Sequence, residues 1–140
     1  GVNDTHGHLV GSWVLKEVAI IVEEVFLGSR AASTRFGGDE FIILMPGYSL
    51  EDSSEYGETL RAALESNVFV REGLSEGEPP LNIEGVITCS VGIASLERGN
   101  GNDPNKMKET LIRAADTAVY RAKNLGKNRV CLAKGLDASG

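Results

Sequence analysis

The stretch "TRFGGDEFIIL", Thr34 to Leu44, decides the reading of the chain. A short β-prone run, Ala31 to Phe36, meets the pair Gly37-Gly38, and a second run, Glu40 to Met45, leaves it. Two strands separated by glycines read as a hairpin, because a tight turn between twisted strands needs positive φ, which glycine adopts at little cost. Phe41, Ile42, Ile43 and Leu44 read as a buried strand that stops at Pro46-Gly47. Asp39 and Glu40 are the odd feature: two like charges at the mouth of an apolar strand. Adjacent acids on a hairpin are usually just solvated. Beside a glycine pair that lets a ligand approach the backbone, they also suit a divalent cation with phosphate.

Outward from the hairpin, Val14, Val18, Ile21, Val22 and Val25 recur at helical spacing between Gly11 and Leu27, and Gly28 reads as the stop. Leu50 to Ser66 places Tyr56, Leu60, Ala63 and Leu64 on one helical face. Asn67 to Asn82, with "EGLSEGEPP", reads as a flexible excursion or small hairpin arm, and Val86 to Ala94 as a strand. Asp103-Pro104 pairs a capping residue with proline at the first helical position, opening a helix that runs to Gly126. Asn128 to Leu132 reads as a last strand. The expected class is α+β, an antiparallel-rich sheet with packed helices. One domain is expected over residues 1–133, with a disordered tail over 134–140. The opening "GVNDTHGH" is polar and turn-rich with no strand before it, as though the first strand were lacking.

With 140 residues, 41% hydrophobic and 24% charged, the chain has the composition of a soluble globular domain. A net charge of -6 argues against coating nucleic acid. No apolar run is long enough to span a membrane, and no signal peptide is legible. Cys89 and Cys131 lack zinc-site spacing and lie in apolar runs, so buried free thiols in a reducing cytoplasm are expected. Arg35 precedes the turn, and "AKNLGKNR" gathers Lys123, Lys127 and Arg129. Cations near a helix C-terminus are favourable in themselves, but a triphosphate also needs carboxylates for its metal and cations for its oxygens.

Taken together, "NDTHGH", "RFGGDEF", "TCSVGIA" and "ADTAVYRAKNLGKNRV" resemble the successive signature blocks of the GGDEF family of nucleotidyl cyclases, in family order from residue 3 to residue 130. The resemblance implies a palm-like fold shared with class III cyclases. It also implies the condensation of two GTP molecules to cyclic di-GMP by a homodimer, with Mg2+ (or Mn2+) as cofactor. By position, Gly37 and Gly38 match the backbone that approaches the nucleotide, and Asp39 and Glu40 the catalytic and metal-binding acids. Lys123 and Lys127 match the phosphate clamps, Asn3 reads guanine and ribose, His8 lies beside the base pocket, and Arg35 joins the nucleotide-binding set. The domain is expected in the cytoplasm, without contact to membrane or nucleic acid, and joined to an N-terminal sensory region of a longer chain, with membrane tethering of that chain left open.

Three departures from the family pattern carry expectations of their own. The family's further metal aspartate belongs to a strand before the "ND" block, so that strand is expected upstream of Gly1. The inhibitory Arg-x-x-Asp motif is replaced, its two positions holding Gly28 and Ala31, with Arg30 out of register and Ser33 no aspartate. In "GHLVGSW", Ser12 stands where the family has its second guanine-reading aspartate. Ser12 could simply cap a helix. Alternatively, a carboxylate only accepts hydrogen bonds and so selects guanine's N–H edge, whereas a hydroxyl donates or accepts and suits either purine. Losing a penalty of ~1–3 kcal/mol admits the wrong base roughly ten- to hundredfold more readily. Serine here resembles the hybrid subgroup that accepts ATP with GTP and makes cyclic AMP-GMP. A strict GTP enzyme, an inactive nucleotide-binding regulator and a structural dimerisation module are the competing readings.

Overall fold

The computed structural model describes residues 2–37, 39–96 and 103–134, with side chains from residue 9 onward. The elements follow one another as α1 (Val2–Val25), β1 (Ala32–Arg35), β2 (Phe41–Leu44), α2 (Leu50–Ser66), β3 (Val68–Phe69), β4 (Ile83–Glu84), β5 (Ser90–Ile93), α3 (Pro104–Asn124) and β6 (Arg129–Leu132). The class is α+β, as expected. Among the described residues, β1–β2 and β3–β4 pair antiparallel, while β5–β6 pair parallel. The parallel pair departs from a purely antiparallel sheet for a simple reason. A helix as long as α3 carries the chain back to the end where β5 began, and parallel strands need such a crossover.

The chain divides into two compact units, residues 1–46 with 62–87 and residues 47–61 with 88–140. In the first unit α1 starts well before Gly11, at Val2, so the polar opening is helical rather than a run of turns. Extending a nucleated helix costs far less than starting one, and residues 14–26 supply the amphipathic nucleus. Val14, Val22 and Phe26 are buried, with Val18, Ile21 and Val25 half-buried. Gly28 ends the helix in the left-handed region, φ 81°.

The excursion after α2 is tied down rather than loose. Val68 pairs with Glu84 and Phe69 with Ile83. Phe69 and Val70 are fully buried. Val70 adopts φ 56°, unusual for a β-branched residue, and its N–H donates to Glu17 Oε2 of α1 at 2.9 Å. The Val70 carbonyl accepts from the N–H groups of Leu81 (3.0 Å) and Asn82 (3.3 Å).

In the second unit, Asp103 caps α3 as its sequence suggests, its side chain accepting from the Asn105 N–H at 3.0 Å with Pro104 next. Ala118 and Ala122 of α3 are buried with Cys131 of β6, and Ala133 packs against them. Small residues on α3 let helix and strands approach closely. Gly92 of β5 lies against the backbone of Ala115 and Val119. The β5–β6 ladder continues through the Ala133 N–H to the Ile93 carbonyl at 2.8 Å. The strand expected from Val86 begins only at Ser90, and Val86 itself is exposed. Residues 135–140 of the expected tail lie outside the described residues, as does Gly38. Among the described residues no helix is long and apolar enough to cross a membrane.

Candidate nucleotide and metal site

The hairpin forms in the register Ala32↔Leu44 to Arg35↔Phe41, and the Phe36 N–H donates to the Glu40 carbonyl at 2.7 Å to close the turn. Gly37 takes φ 84°, a conformation that any side chain would strain. Glu40 Oε2 lies 3.7 Å from where a Gly37 Cβ would be, so this carboxylate folds back over the glycine. Arg35, Asp39 and Glu40 are all exposed. The turn therefore brings a guanidinium and two carboxylates to one exposed tip, beside backbone left bare by glycine. The reading of β2 as a buried strand needs correction: Phe41, Ile42 and Ile43 are half-buried and Leu44 is 59% exposed. A ribbon of two strands has too little area to bury its own faces.

Two carboxylates fit Mg2+, which takes hard oxygen ligands and is commonly held by one or two carboxylates with substrate phosphates completing the shell. Among the described residues no group of three or more His, Cys, Asp or Glu could form a metal cage by itself. The donor set fits a metal shared with a phosphate ligand.

Ser12 lies in the body of α1, ten residues past its start, so it does not cap a helix. It is exposed and lines a cleft of about 310 Å³ with Leu9, Trp13 and Lys16 of the same helix and Leu74, Ser75 and Glu78 of the arm. Successive turns of α1 put residues 9, 12, 13 and 16 on one face. Lys16 Nζ sits 5.7 Å from the Trp13 ring centroid, a cation–π distance. The sequence alone does not single out Trp13 or Glu78; Trp13 has the signal of helical spacing from Leu9 and Lys16, and Glu78 has none. Asn3 and His8 lie on the first turns of α1, and their side chains are outside the described residues.

In the second unit, Lys123 occupies the last turn of α3 and Lys127 follows the helix; both are exposed. Leu125 closes the helix, its N–H donating to the Arg121 carbonyl at 3.0 Å. The turn beyond it holds Gly126 (φ 122°), Lys127 (φ 64°) and Asn128 (φ 45°), all left-handed. Cys131 is buried as expected, whereas Cys89, just before β5, is only half-buried, beside Arg61 and Glu58 of α2. Burial raises its thiol pKa to about 11 from an ordinary 9.0, with Arg61 lowering it and Glu58 raising it by smaller amounts. A thiol harder to ionise when folded leaves stability unchanged below pH 9 and reduces it as pH rises from 9 towards 11. Cys89→Ala should therefore flatten the alkaline limb of a pH–Tm profile; an unchanged limb would remove Cys89 as its cause.

The paired strands and long helices are those of an α+β fold, with the exposed acids of the hairpin and the exposed lysines at the end of α3 as candidate site residues. The family described as "Diguanylate cyclase, GGDEF domain" matches residues 1–129. The chain is 40% identical over 131 residues to diguanylate cyclase DgcP of Pseudomonas aeruginosa, covering 92% of this chain and 17% of that protein. It is 34% identical over 131 residues to response regulator PleD of Caulobacter vibrioides, covering 92% and 26%. Among solved structures, the active GGEEF domain of a diguanylate cyclase from Vibrio cholerae superposes with a TM-score of 0.71 at 28% identity, covering 96% of this chain and 75% of that one. The chain belongs to the GGDEF family. It spans about a quarter or less of the length of these two curated relatives.

Proposed function

We propose that this domain is the catalytic part of a dinucleotide cyclase that joins two nucleoside triphosphates into a 3′,3′-cyclic dinucleotide and releases pyrophosphate. The observation that carries the reading is the intact signature turn, with Asp39 and Glu40 exposed beside the bare backbone of Gly37. The names of DgcP and the Vibrio cholerae domain point the same way. Asp39 and Glu40 hold the metal and orient the attacking 3′-hydroxyl, while Lys123 and Lys127 neutralise phosphate oxygens as charge moves to the leaving pyrophosphate. Magnesium, when bound, supplies the electrophile that polarises the α-phosphate. Two domains face to face, each with one nucleotide, provide both 3′-hydroxyls.

The domain accepts ATP as well as GTP. Ser12 is free of any capping duty and lines a cleft roomy enough for one purine, with the Trp13 ring in the same wall. Its hydroxyl can donate to the adenine ring nitrogen that would repel a carboxylate. The full-length protein with magnesium and equal GTP and ATP should make a substantial share of cyclic AMP-GMP. Ser12→Asp should shift the product toward cyclic di-GMP, roughly ten- to hundredfold in ratio. Identical product mixtures from the two proteins would sink the role given to Ser12.

One feature favours strict GTP use instead. Glu78 lines the same cleft, and its carboxylate is an acceptor of the kind that Ser12 lacks. On that second reading the wild type makes cyclic di-GMP alone, and Glu78→Gln is the substitution that admits ATP.

A further inference from the structure

The turn that carries Lys127 is an unusual place for a lysine. Lys127 and Asn128 are consecutive left-handed residues, φ 64° and 45°, and lysine has no side-chain means of favouring that region. Its peptide groups are nonetheless held on both sides. The Lys127 N–H donates to the Ala122 carbonyl at 2.9 Å, and the Lys127 carbonyl accepts from Arg129 Nε at 3.0 Å. The next residue is fastened to a different helix: Arg61 Nη1 of α2 donates to Asn128 Oδ1 at 2.9 Å.

Arg61 is itself fixed. Its Nε donates to Glu58 Oε1 and Oε2 at 2.9 and 3.0 Å, and its Nη2 to Glu58 Oε1 at 2.5 Å. The Arg61 side chain is only 18% exposed. A fork-shaped guanidinium can satisfy a carboxylate along one edge and still present an N–H elsewhere, which an ammonium cannot do in the same geometry. Glu58 therefore orients Arg61, and Arg61 holds the side chain of the residue that follows Lys127.

We propose that Glu58, Arg61 and Asn128 form a latch that positions Lys127 for the triphosphate, so that the lysine's backbone is set before substrate arrives. The latch rests on the reading of Lys127 as a phosphate clamp. Its three members are positioning residues that act through Lys127. A clamp already ordered in the free protein loses less freedom on binding, which raises affinity without any added contact to the ligand.

The test is a double-mutant cycle on the full-length protein, reading the calorimetric affinity for a non-hydrolysable GTP analogue with magnesium. Lys127→Ala should weaken binding about tenfold and Arg61→Ala about five- to tenfold. The double variant should be weaker than Lys127→Ala by no more than about twofold, because Arg61 has nothing left to position. A purely structural Arg61 would instead multiply the two losses, and that outcome overturns the latch. Asn128→Gly tolerates the left-handed turn while deleting the acceptor for Arg61. It should match Arg61→Ala and show the same lack of additivity with Lys127→Ala, and it decides the matter if Arg61→Ala fails to fold. If Lys127→Ala binds normally, the clamp reading falls and the latch with it. If Lys127→Ala is weakened while Arg61→Ala and Asn128→Gly are not, the latch alone is overturned.

Discussion

Asp39→Asn is expected to lower product formation at least ~100-fold while leaving the melting temperature within a degree or two. The substitution keeps the shape of the side chain and removes its charge. An amide oxygen is a weaker ligand for a hard divalent cation than a carboxylate, and it cannot take a proton from a 3′-hydroxyl. Stability should hardly change, because Asp39 is exposed at the tip of the hairpin and lies outside the register of β1 and β2. Removing one of two neighbouring negative charges slightly relieves repulsion with Glu40. Circular dichroism melting and turnover on the same preparation separate the two effects. Appreciable turnover in the variant would take Asp39 out of the mechanism, and a collapsed melt would make it structural.

Gly92→Ala has the largest expected effect on folding, a loss of ~3 kcal/mol or more. A Cβ at Gly92 would run into the Ala115 carbonyl oxygen and the Val119 backbone nitrogen of α3. Backbone atoms cannot turn aside as a side chain can, so relief requires α3 to move off β5. The domain should melt well below the wild type or fail to accumulate. Gly57→Ala is the informative contrast. There the added carbon would meet the tips of Ile93 and Val91 side chains at 3.0 and 3.3 Å. Those can rotate, and alanine gains ~1 kcal/mol of helix propensity over glycine. The net change at Gly57 should stay within about 1 kcal/mol, and equal losses at the two glycines would refute the backbone-contact explanation.

Local signals in the chain were read correctly where one residue type answers one backbone need. Gly28 closes α1, Asp103 and Pro104 open α3, and α2 runs from Leu50 to Ser66 as its apolar spacing suggests. The hairpin around Gly37 follows from glycine's access to positive φ. What spacing could not supply was burial. Phe41 to Leu44 look like a core strand as letters, yet Leu44 stands exposed because burial depends on what other elements cover. Nor could it supply the helical opening, because Asn3 to His8 have poor helix propensity and are carried by the helix that follows them.

The candidate site divides in the same way. Arg35, Gly37, Asp39, Glu40, Lys123 and Lys127 stand out as candidates in the sequence because each sits in a contiguous block whose residue types match metal and phosphate chemistry. Glu58 and Arg61 do not, Arg61 being 67 residues from the Asn128 it holds, on a helix whose spacing speaks only of packing. Glu78 was invisible for the same reason, since only the folded arm brings it to the cleft that Ser12 lines.

By itself, then, the sequence determined the family and the order of the elements, and it singled out the acids and lysines as candidates, because these are properties of short runs of chain. The tertiary structure alone decided that Ser12 faces a cleft instead of capping a helix, that Gly92 must have no side chain, and that Arg61 grips Asn128. Each of those depends on atoms far apart in the chain being brought within a few ångströms, and no local pattern of residues encodes that distance.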